Sequence, residues 1–123
     1  MNKDELRTTS GFIGVAAAFG SAVQQNMRRS IYKVRITNEF AGPNLITLSK
    51  QENGAILPAI DFFHPAVQYE QIDDPEDLHE DSAPLYIIEG AGTGGASNLR
   101  AASAGGANTA YLTIWYSDAP APT

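Results

Sequence analysis

The side chains best suited to chemistry fall in four short stretches, and the first is rich in glycine. Residues 90–95 read Gly-Ala-Gly-Thr-Gly-Gly, and Asp118 ends the next strand-like segment. Such a turn cradles a dinucleotide pyrophosphate when it joins a buried parallel strand to a helix. Here the following segment is a poor, glycine-interrupted helix, and the strand after it alternates polar and apolar residues, unlike a buried parallel strand. We therefore interpret residues 90–108 as a glycine-rich loop and predict no cofactor.

An acidic stretch and two histidines are the candidate metal ligands. Residues 70–81 read Glu-Gln-Ile-Asp-Asp-Pro-Glu-Asp-Leu-His-Glu-Asp, and such carboxylates can ligate Ca²⁺. The stretch lacks the spacing and the glycine of an EF-hand, so a solvated acidic loop is the simpler interpretation. His64 and His79 stand alone, without a recognisable ligand pattern around them. The chain has no cysteine, which excludes disulfides and thiolate chemistry, and we predict no metal site.

The fourth stretch is basic and belongs to a charge asymmetry along the chain. Residues 1–38 carry six basic and two acidic side chains, a net charge of +4, whereas residues 39–123 carry two basic and twelve acidic ones, a net charge of −10. The acidic remainder argues against nucleic acid as a partner. We predict instead that basic residues of one copy meet acidic residues of a neighbour. The basic residues are Arg28, Arg29 and Arg35, and the acidic residues are Asp73, Asp74, Asp77 and Asp81.

The element that organises these stretches is a strand near the end of the chain. Residues 109–117 read Thr-Ala-Tyr-Leu-Thr-Ile-Trp-Tyr-Ser, the densest run of β-branched and aromatic residues in the sequence. Leu112, Ile114 and Tyr116 would share one face of this strand, and Tyr111, Thr113 and Trp115 the other, because side chains alternate. We predict that it is the central strand of the fold.

Four further strands follow from alternation and turn chemistry. Residues 31–37 alternate apolar and polar side chains, and residues 45–50 and 55–60 flank an Asn-Gly turn at positions 53 and 54. These three segments are predicted to form an antiparallel meander. Residues 84–89 form the next predicted strand.

The N-terminal segment is predicted to be helical. Phe12, Val15, Phe19, Val23 and Met27 recur at intervals of three and four residues, which is typical of one helix stripe. The apolar run is too short to span a bilayer. The residues before it carry no net positive charge, so we expect no cleaved signal peptide.

The expected fold is mainly β: a small antiparallel β-sandwich or barrel with an N-terminal helical arm. We expect residues 1–30 to form the arm, residues 31–118 the β domain and residues 119–123 a tail.

These features favour a non-enzymatic structural protein that self-assembles into a homo-oligomer or shell, such as a virion coat or decoration protein. Its expected partners are copies of itself and, as a further candidate, a larger capsid or shell protein; its expected location is a virion or the cytoplasm. The predicted apolar interface comprises Phe12, Val15, Phe19 and Val23. The alternative is a β-sandwich module that binds a carbohydrate, a protein or a Ca²⁺-dependent ligand, and a small enzyme with a nucleotide or metal site ranks third.

Overall fold

The computed structural model of the chain describes residues 5–90, 92 and 95–122. This part of the chain is mainly β, with two antiparallel sheets and no helix. Its strands are β1 Arg7–Ile13, β2 Ala17–Phe19, β3 Met27–Asn38, β4 Ile46–Glu52, β5 Ala55–Ile56, β6 Asp61–Phe63, β7 Gln71–Asp74, β8 Tyr86–Glu89, β9 Asn98–Ser103 and β10 Ala110–Pro120. In the first sheet the order is β1, β10, β3, with β7 and β8 both pairing with β3. In the second sheet the order is β2, β9, β4, with β5 and β6 both pairing with β4.

The predicted central strand is confirmed. β10 lies between β1 and β3 and pairs with β3 from Ala110 opposite Asn38 to Pro120 opposite Met27. The predicted inward face is also confirmed, since Leu112, Ile114 and Tyr116 are all buried. β10 continues to Pro120, so its last residues include the first two of the segment predicted as a tail.

One apolar core is shared by both sheets. Alternate residues of β3 and β10 supply it from the first sheet, and alternate residues of β4 and β9 supply it from the second. Its fully buried members include Ile31, Val34, Ile36, Ile46, Leu48, Leu99 and Leu112. Each such side chain contributes about 1.5–3 kcal/mol relative to an exposed one, so this core is the main stabilising element.

The predicted N-terminal helical arm is wrong. Its residues form β1, which pairs with β10 in the first sheet, and β2, which pairs with β9 in the second. The predicted helix stripe is divided, because Phe19 and Val23 are buried in the core whereas Phe12 and Val15 are exposed. Three glycines would cost a helix here roughly 1 kcal/mol each relative to alanine, and β10 offers β1 a seven-residue ladder instead.

The predicted meander is also wrong, although its turn is confirmed. β3 lies in the first sheet and β4 in the second, so these consecutive strands do not pair. Asn53 and Gly54 do connect β4 to β5, with φ angles of 53° and 87° that suit an Asn-Gly turn. Three strands lie in segments predicted as loops: β6 directly after the predicted strand 55–60, β7 in the acidic stretch and β9 in the segment rich in glycine and alanine.

A buried network of amide and hydroxyl groups joins the loops at one end of the sheets. The side-chain amide of Asn44 donates to Asn38 Oδ1 at 3.1 Å and to Ser103 Oγ at 2.8 Å. Its Oδ1 accepts from the backbone N–H groups of Leu45 and Gly105. Among the described residues, every buried side-chain nitrogen and oxygen has a hydrogen-bond partner. The network therefore fixes these loops without the cost of an unpaired polar group.

We predict that Gly14→Ala destabilises the fold by about 1–3 kcal/mol, because the new Cβ has no room. It would lie 2.4 Å from Ala107 Cα and 2.6 Å from Gly106 O, both backbone atoms. Urea unfolding measures the change. The control is Gly42→Ala, whose Cβ meets nothing within 4 Å and whose expected effect is within about 0.5 kcal/mol. Equal effects of the two substitutions would contradict the close packing of Gly14 against this loop.

Candidate interaction surface

The outer face of the first sheet carries aromatic, hydroxyl and cationic side chains in register. Residues directly opposite one another in adjacent antiparallel strands project from the same face. The strand register therefore defines three outward rows across the sheet. The rows are Thr8–Trp115–Lys33, Ser10–Thr113–Arg35–Asp73 and Phe12–Tyr111–Thr37–Gln71. We call this surface the aromatic face.

The rings of the aromatic face are held by neighbouring side chains. Phe12 meets Tyr111 edge to face, with ring centroids 5.0 Å apart. Lys33 Nζ and Arg35 Cζ lie 5.2 Å and 5.4 Å from the centroid of the Trp115 ring. Cation–π contacts at exposed sites contribute about 0.5–1 kcal/mol each, so the Trp115 ring has a preferred position.

Polar partners within the chain engage both cations of this face. Arg35 Nε donates to Asp73 Oδ1 at 2.8 Å, and this hydrogen bond is the main cause that lowers the pKa of Asp73 below its ordinary value. The same hydrogen bond raises the pKa of Arg35. Lys33 Nζ donates to the backbone carbonyl of Glu76 at 3.0 Å. The aromatic face therefore carries an internally paired charge pattern rather than a patch of one sign.

The arginines predicted to face a neighbour all have partners in their own chain. Arg35 pairs with Asp73, as described, and Arg28 Nη2 lies 2.6 Å from Glu89 Oε1. Arg29 is 2% exposed, and its guanidinium donates to both carboxylate oxygens of Asp118, at 2.8 and 2.9 Å.

Arg29 also contacts Ser21 and Tyr116. Its Nη1 donates to Ser21 O at 2.7 Å, and its Cζ lies 4.4 Å from the centroid of the Tyr116 ring. These contacts, together with the Asp118 pair, hold the guanidinium inside the protomer.

The acidic residues predicted to meet those arginines are separated by the fold. Asp73 and Asp74 lie on β7, where both are half-buried. Asp77 and Asp81 lie in the following loop and are exposed. Pairing of these exposed carboxylates with a neighbouring copy stays a prediction.

The apolar residues predicted to form one interface are also divided. Phe19 and Val23 contribute to the core of their own chain, and Phe12 and Val15 remain on the surface, 57% and 77% exposed. A second exposed pair was not predicted: Ile56 on β5 and Phe62 on β6 are 61% and 53% exposed. Both flank β4 along one edge of the second sheet. Phe62 was detectable only from its alternation with the buried Phe63, which a three-residue strand signals weakly.

The glycine-rich stretch and the candidate metal ligands form no assembled site within the described residues. Three residues of the glycine-rich stretch, Ala91, Thr93 and Gly94, lie outside them. Within residues 5–90, 92 and 95–122, no three histidine, aspartate or glutamate side chains converge as metal ligands, and His64 and His79 are both exposed. The same residues contain no helix long and apolar enough to cross a membrane.

Two open cavities lie on the described part of the chain. One, of about 320 Å³, is lined by Phe40, Pro43, Asn44, Leu45, Ala104 and Gly105. The other, of about 270 Å³, is lined by Lys50, Ile60, Leu85, Tyr86 and Ile87. In the second cavity, Tyr86 Oη donates a hydrogen bond to Asp61 Oδ2. The pKa of Tyr86 is raised above its ordinary value, mainly because of burial and next because of this hydrogen bond. Tyr86 therefore acts as a hydrogen-bond donor that ties β8 to β6.

Comparisons with known proteins did not identify a relative of this chain. No protein-family model matches the chain, and neither the characterised proteins nor the solved structures include a significant match.

We predict that Arg29→Ala destabilises the protein by about 3–5 kcal/mol, because it leaves the Asp118 carboxylate without its buried partner. The neighbouring Arg28→Ala is the matched control. It removes a partly exposed ion pair with Glu89 and should cost no more than about 1 kcal/mol. Urea unfolding of both variants measures the difference, and similar losses would show that burial does not distinguish the two arginines.

Proposed function

We propose that this chain is a non-enzymatic structural protein whose two sheets form a β-sandwich and which assembles with copies of itself into a homo-oligomer or shell. The observation that carries the proposal is the presence of two exposed apolar pairs at different sheet edges. Phe12 and Val15 form one pair, and Ile56 and Phe62 form the other. Large apolar side chains that stay in water at a sheet edge are typical of surfaces that contact another molecule.

The separation of the two pairs favours an assembly larger than a dimer. β1 lies beside β2, because Phe19 Cε1 on β2 would be 3.7 Å from a Cβ added at Gly11 on β1. The edge with Ile56 and Phe62 lies across β9 and β4 from β2, roughly 14 Å away at about 4.8 Å per strand. Two contact surfaces on one protomer allow it to hold two neighbours, as a ring or shell requires.

The buried ionisable groups support a structural role. Arg29 and Asp118 join β3 to the end of β10. Tyr86 and Asp61 join the first sheet to the second. In both pairs the polar atoms are engaged in contacts that hold strands together. The proposed partners are therefore other copies of the chain, with a larger capsid or shell protein as a further candidate, and the proposed location is a virion or the cytoplasm.

We predict that the purified protein is an oligomer, with a native mass at least twice the 13.1 kDa of one chain. Replacing either apolar pair by serine should reduce this native mass. The variants are Phe12→Ser with Val15→Ser, and Ile56→Ser with Phe62→Ser. Loss of apolar area at the contact weakens association at about 25 cal/mol per Å² removed. Light scattering or native mass spectrometry at low and high salt gives the mass.

The control for this experiment is Val67→Ser, which removes an apolar side chain that is also exposed but lies in a loop outside both pairs. It should leave the native mass unchanged. A wild-type monomer at both salt concentrations would overturn the proposal. A deletion of residues 1–27 is unsuitable as a test, since it would remove β1, β2 and three core residues, Ile13, Phe19 and Val23.

A ligand-binding module is the second candidate, and the aromatic face is the observation that favours it. Tyr111 and Trp115 are half-exposed on the outer face of the sheet, and the hydroxyls of Ser10 and Thr113 lie between them. Aromatic rings beside hydrogen-bonding hydroxyls suit a ligand with both apolar and polar surfaces, such as a saccharide.

This second candidate predicts a saturable change in tryptophan fluorescence when soluble cello- or chito-oligosaccharides are added. Trp115 is the single tryptophan, so the signal reports directly on the aromatic face. Tyr111→Ala should abolish the change, and Tyr69→Ala, on an exposed loop, should not. No change with either sugar series would exclude these saccharides as ligands. A Ca²⁺-dependent ligand would instead be indicated by a melting temperature that rises with added Ca²⁺.

A further inference from the structure

The outer edge of β1 is open to further backbone hydrogen bonding. β1 pairs with β10 on one side, and no described strand pairs with its other side. In an antiparallel strand, alternate residues direct both N–H and C=O to the same side. Alternate residues from Arg7 to Ile13 therefore present unpaired backbone groups at this edge.

The other open edges of the described strands are short or protected by charge or proline. β7 and β8 have four residues each and carry Asp73, Asp74 and Glu89. β2 has three residues, and β5 and β6 have two and three, with Pro58 between them. β1 has seven residues, and its single charge, Arg7, stands at its first position. Monomeric proteins normally protect such an edge with a charge, a proline or a bulge, and β1 has none of these within residues 8–13.

We infer that a second copy of this chain docks on β1, its own β1 running antiparallel, with a twofold axis near Ser10. The inference rests on the proposed self-assembly and specifies one of its contacts. Ser10 is the middle residue of the strand, so only an axis there pairs all seven residues of both copies. The pairing supplies about six to eight backbone hydrogen bonds and joins the two first sheets into one continuous sheet.

The side chains of β1 fit this arrangement. Phe12 of one copy comes to lie opposite Thr8 of the other, and Thr8 is already opposite Trp115 within its own sheet. The apolar row of Tyr111 and Phe12 is thereby continued, through Thr8, to Trp115 of the second copy. The exposed ring of Phe12, which has Tyr111 on one side in the single protomer, gains a second cross-strand neighbour on its other side.

The charges also favour antiparallel pairing of the two β1 strands over parallel pairing. With the axis at Ser10, Arg7 of each copy lies opposite Ile13 of the other, and the two Arg7 residues are roughly 20 Å apart. A parallel arrangement would place the two Arg7 residues side by side, where like charges repel. The twofold arrangement therefore places the two Arg7 side chains at opposite ends of a contact that is otherwise uncharged.

Single cysteines test this register directly, because the chain has none of its own. In full-length protein, Ser10→Cys should form an intermolecular disulfide within minutes of mild oxidation, since its Cβ would face its own copy at about 4.5–5.5 Å. Thr8→Cys and Phe12→Cys should each cross-link at least tenfold more slowly alone, because four residues of offset separate identical positions by about 13 Å. Mixed together, these two variants should form a heterodisulfide as readily as Ser10→Cys. Val67→Cys, on an exposed loop outside both apolar pairs, is the control and should not cross-link.

The outcomes separate this inference from the broader proposal. An oligomer in which Ser10→Cys does not cross-link, or in which all three β1 cysteines cross-link equally, overturns the twofold β1 contact and leaves self-assembly standing. A wild-type monomer overturns both. Hydrogen exchange on the unaltered protein supplies a second readout. The alternate backbone amides of residues 7–13 that do not bond to β10 should exchange at least tenfold more slowly in the oligomer than in the diluted monomer, and equal exchange of these amides would also overturn the contact.

Discussion

The pairing of β10 with β1 on one side and β3 on the other is the interaction on which the rest of the structure depends. It places the inward side chains of β10, Leu112, Ile114 and Tyr116, in the core. The same alternation turns Tyr111 and Trp115 outward, so the core and the aromatic face are two consequences of one strand. A register shift between Trp115 and Tyr116 lets β3 insert one extra residue, and the long ladder continues beyond it to Pro120.

Two polar clusters hold opposite ends of this ladder. Near the start of β10, the amides of Asn38 and Asn44 connect the loops that link the sheets. Near its end, the guanidinium of Arg29 is enclosed by Asp118, Ser21 and the Tyr116 ring. A buried guanidinium is tolerated only when its donors are satisfied, and here Asp118 and Ser21 accept hydrogen bonds from all three of its nitrogens. The second cluster shows how a basic and an acidic residue far apart in sequence, Arg29 and Asp118, pair within one protomer.

Three ion pairs of the described residues join neighbouring strands: Arg28 with Glu89, Arg29 with Asp118 and Arg35 with Asp73. The apolar pairs at the two sheet edges and the uncharged edge of β1 are features that a protomer in isolation leaves exposed to water. Their positions on different sheets are compatible with several contacts per protomer. The aromatic face includes β1 at its edge, so assembly through that edge would extend the face across two copies rather than cover it.

The sequence by itself determined the features that depend on near neighbours along the chain. The alternation in residues 31–37, 45–50 and 109–117 and the Asn53–Gly54 turn predicted four real elements, because side-chain period and turn chemistry are local. The sequence also predicted that Tyr111 and Trp115 share one face of their strand, and these two side chains are the aromatic residues that β10 contributes to the aromatic face.

Only the tertiary structure decided which strands pair. That pairing in turn decided which side chains are exposed and which charged groups meet. The spacing of Phe12, Val15 and Phe19 fits a helix, yet the free edge of β10 made this segment a strand, since a ladder with a distant partner outweighs a weak helix propensity. β7 and β9 became strands for the same reason, despite their acids, glycines and alanines. The partners of Arg28, Arg29 and Arg35, and the exposure of Ile56 and Phe62, followed from that pairing. Such choices rest on contacts between residues far apart in the chain, which local patterns do not encode.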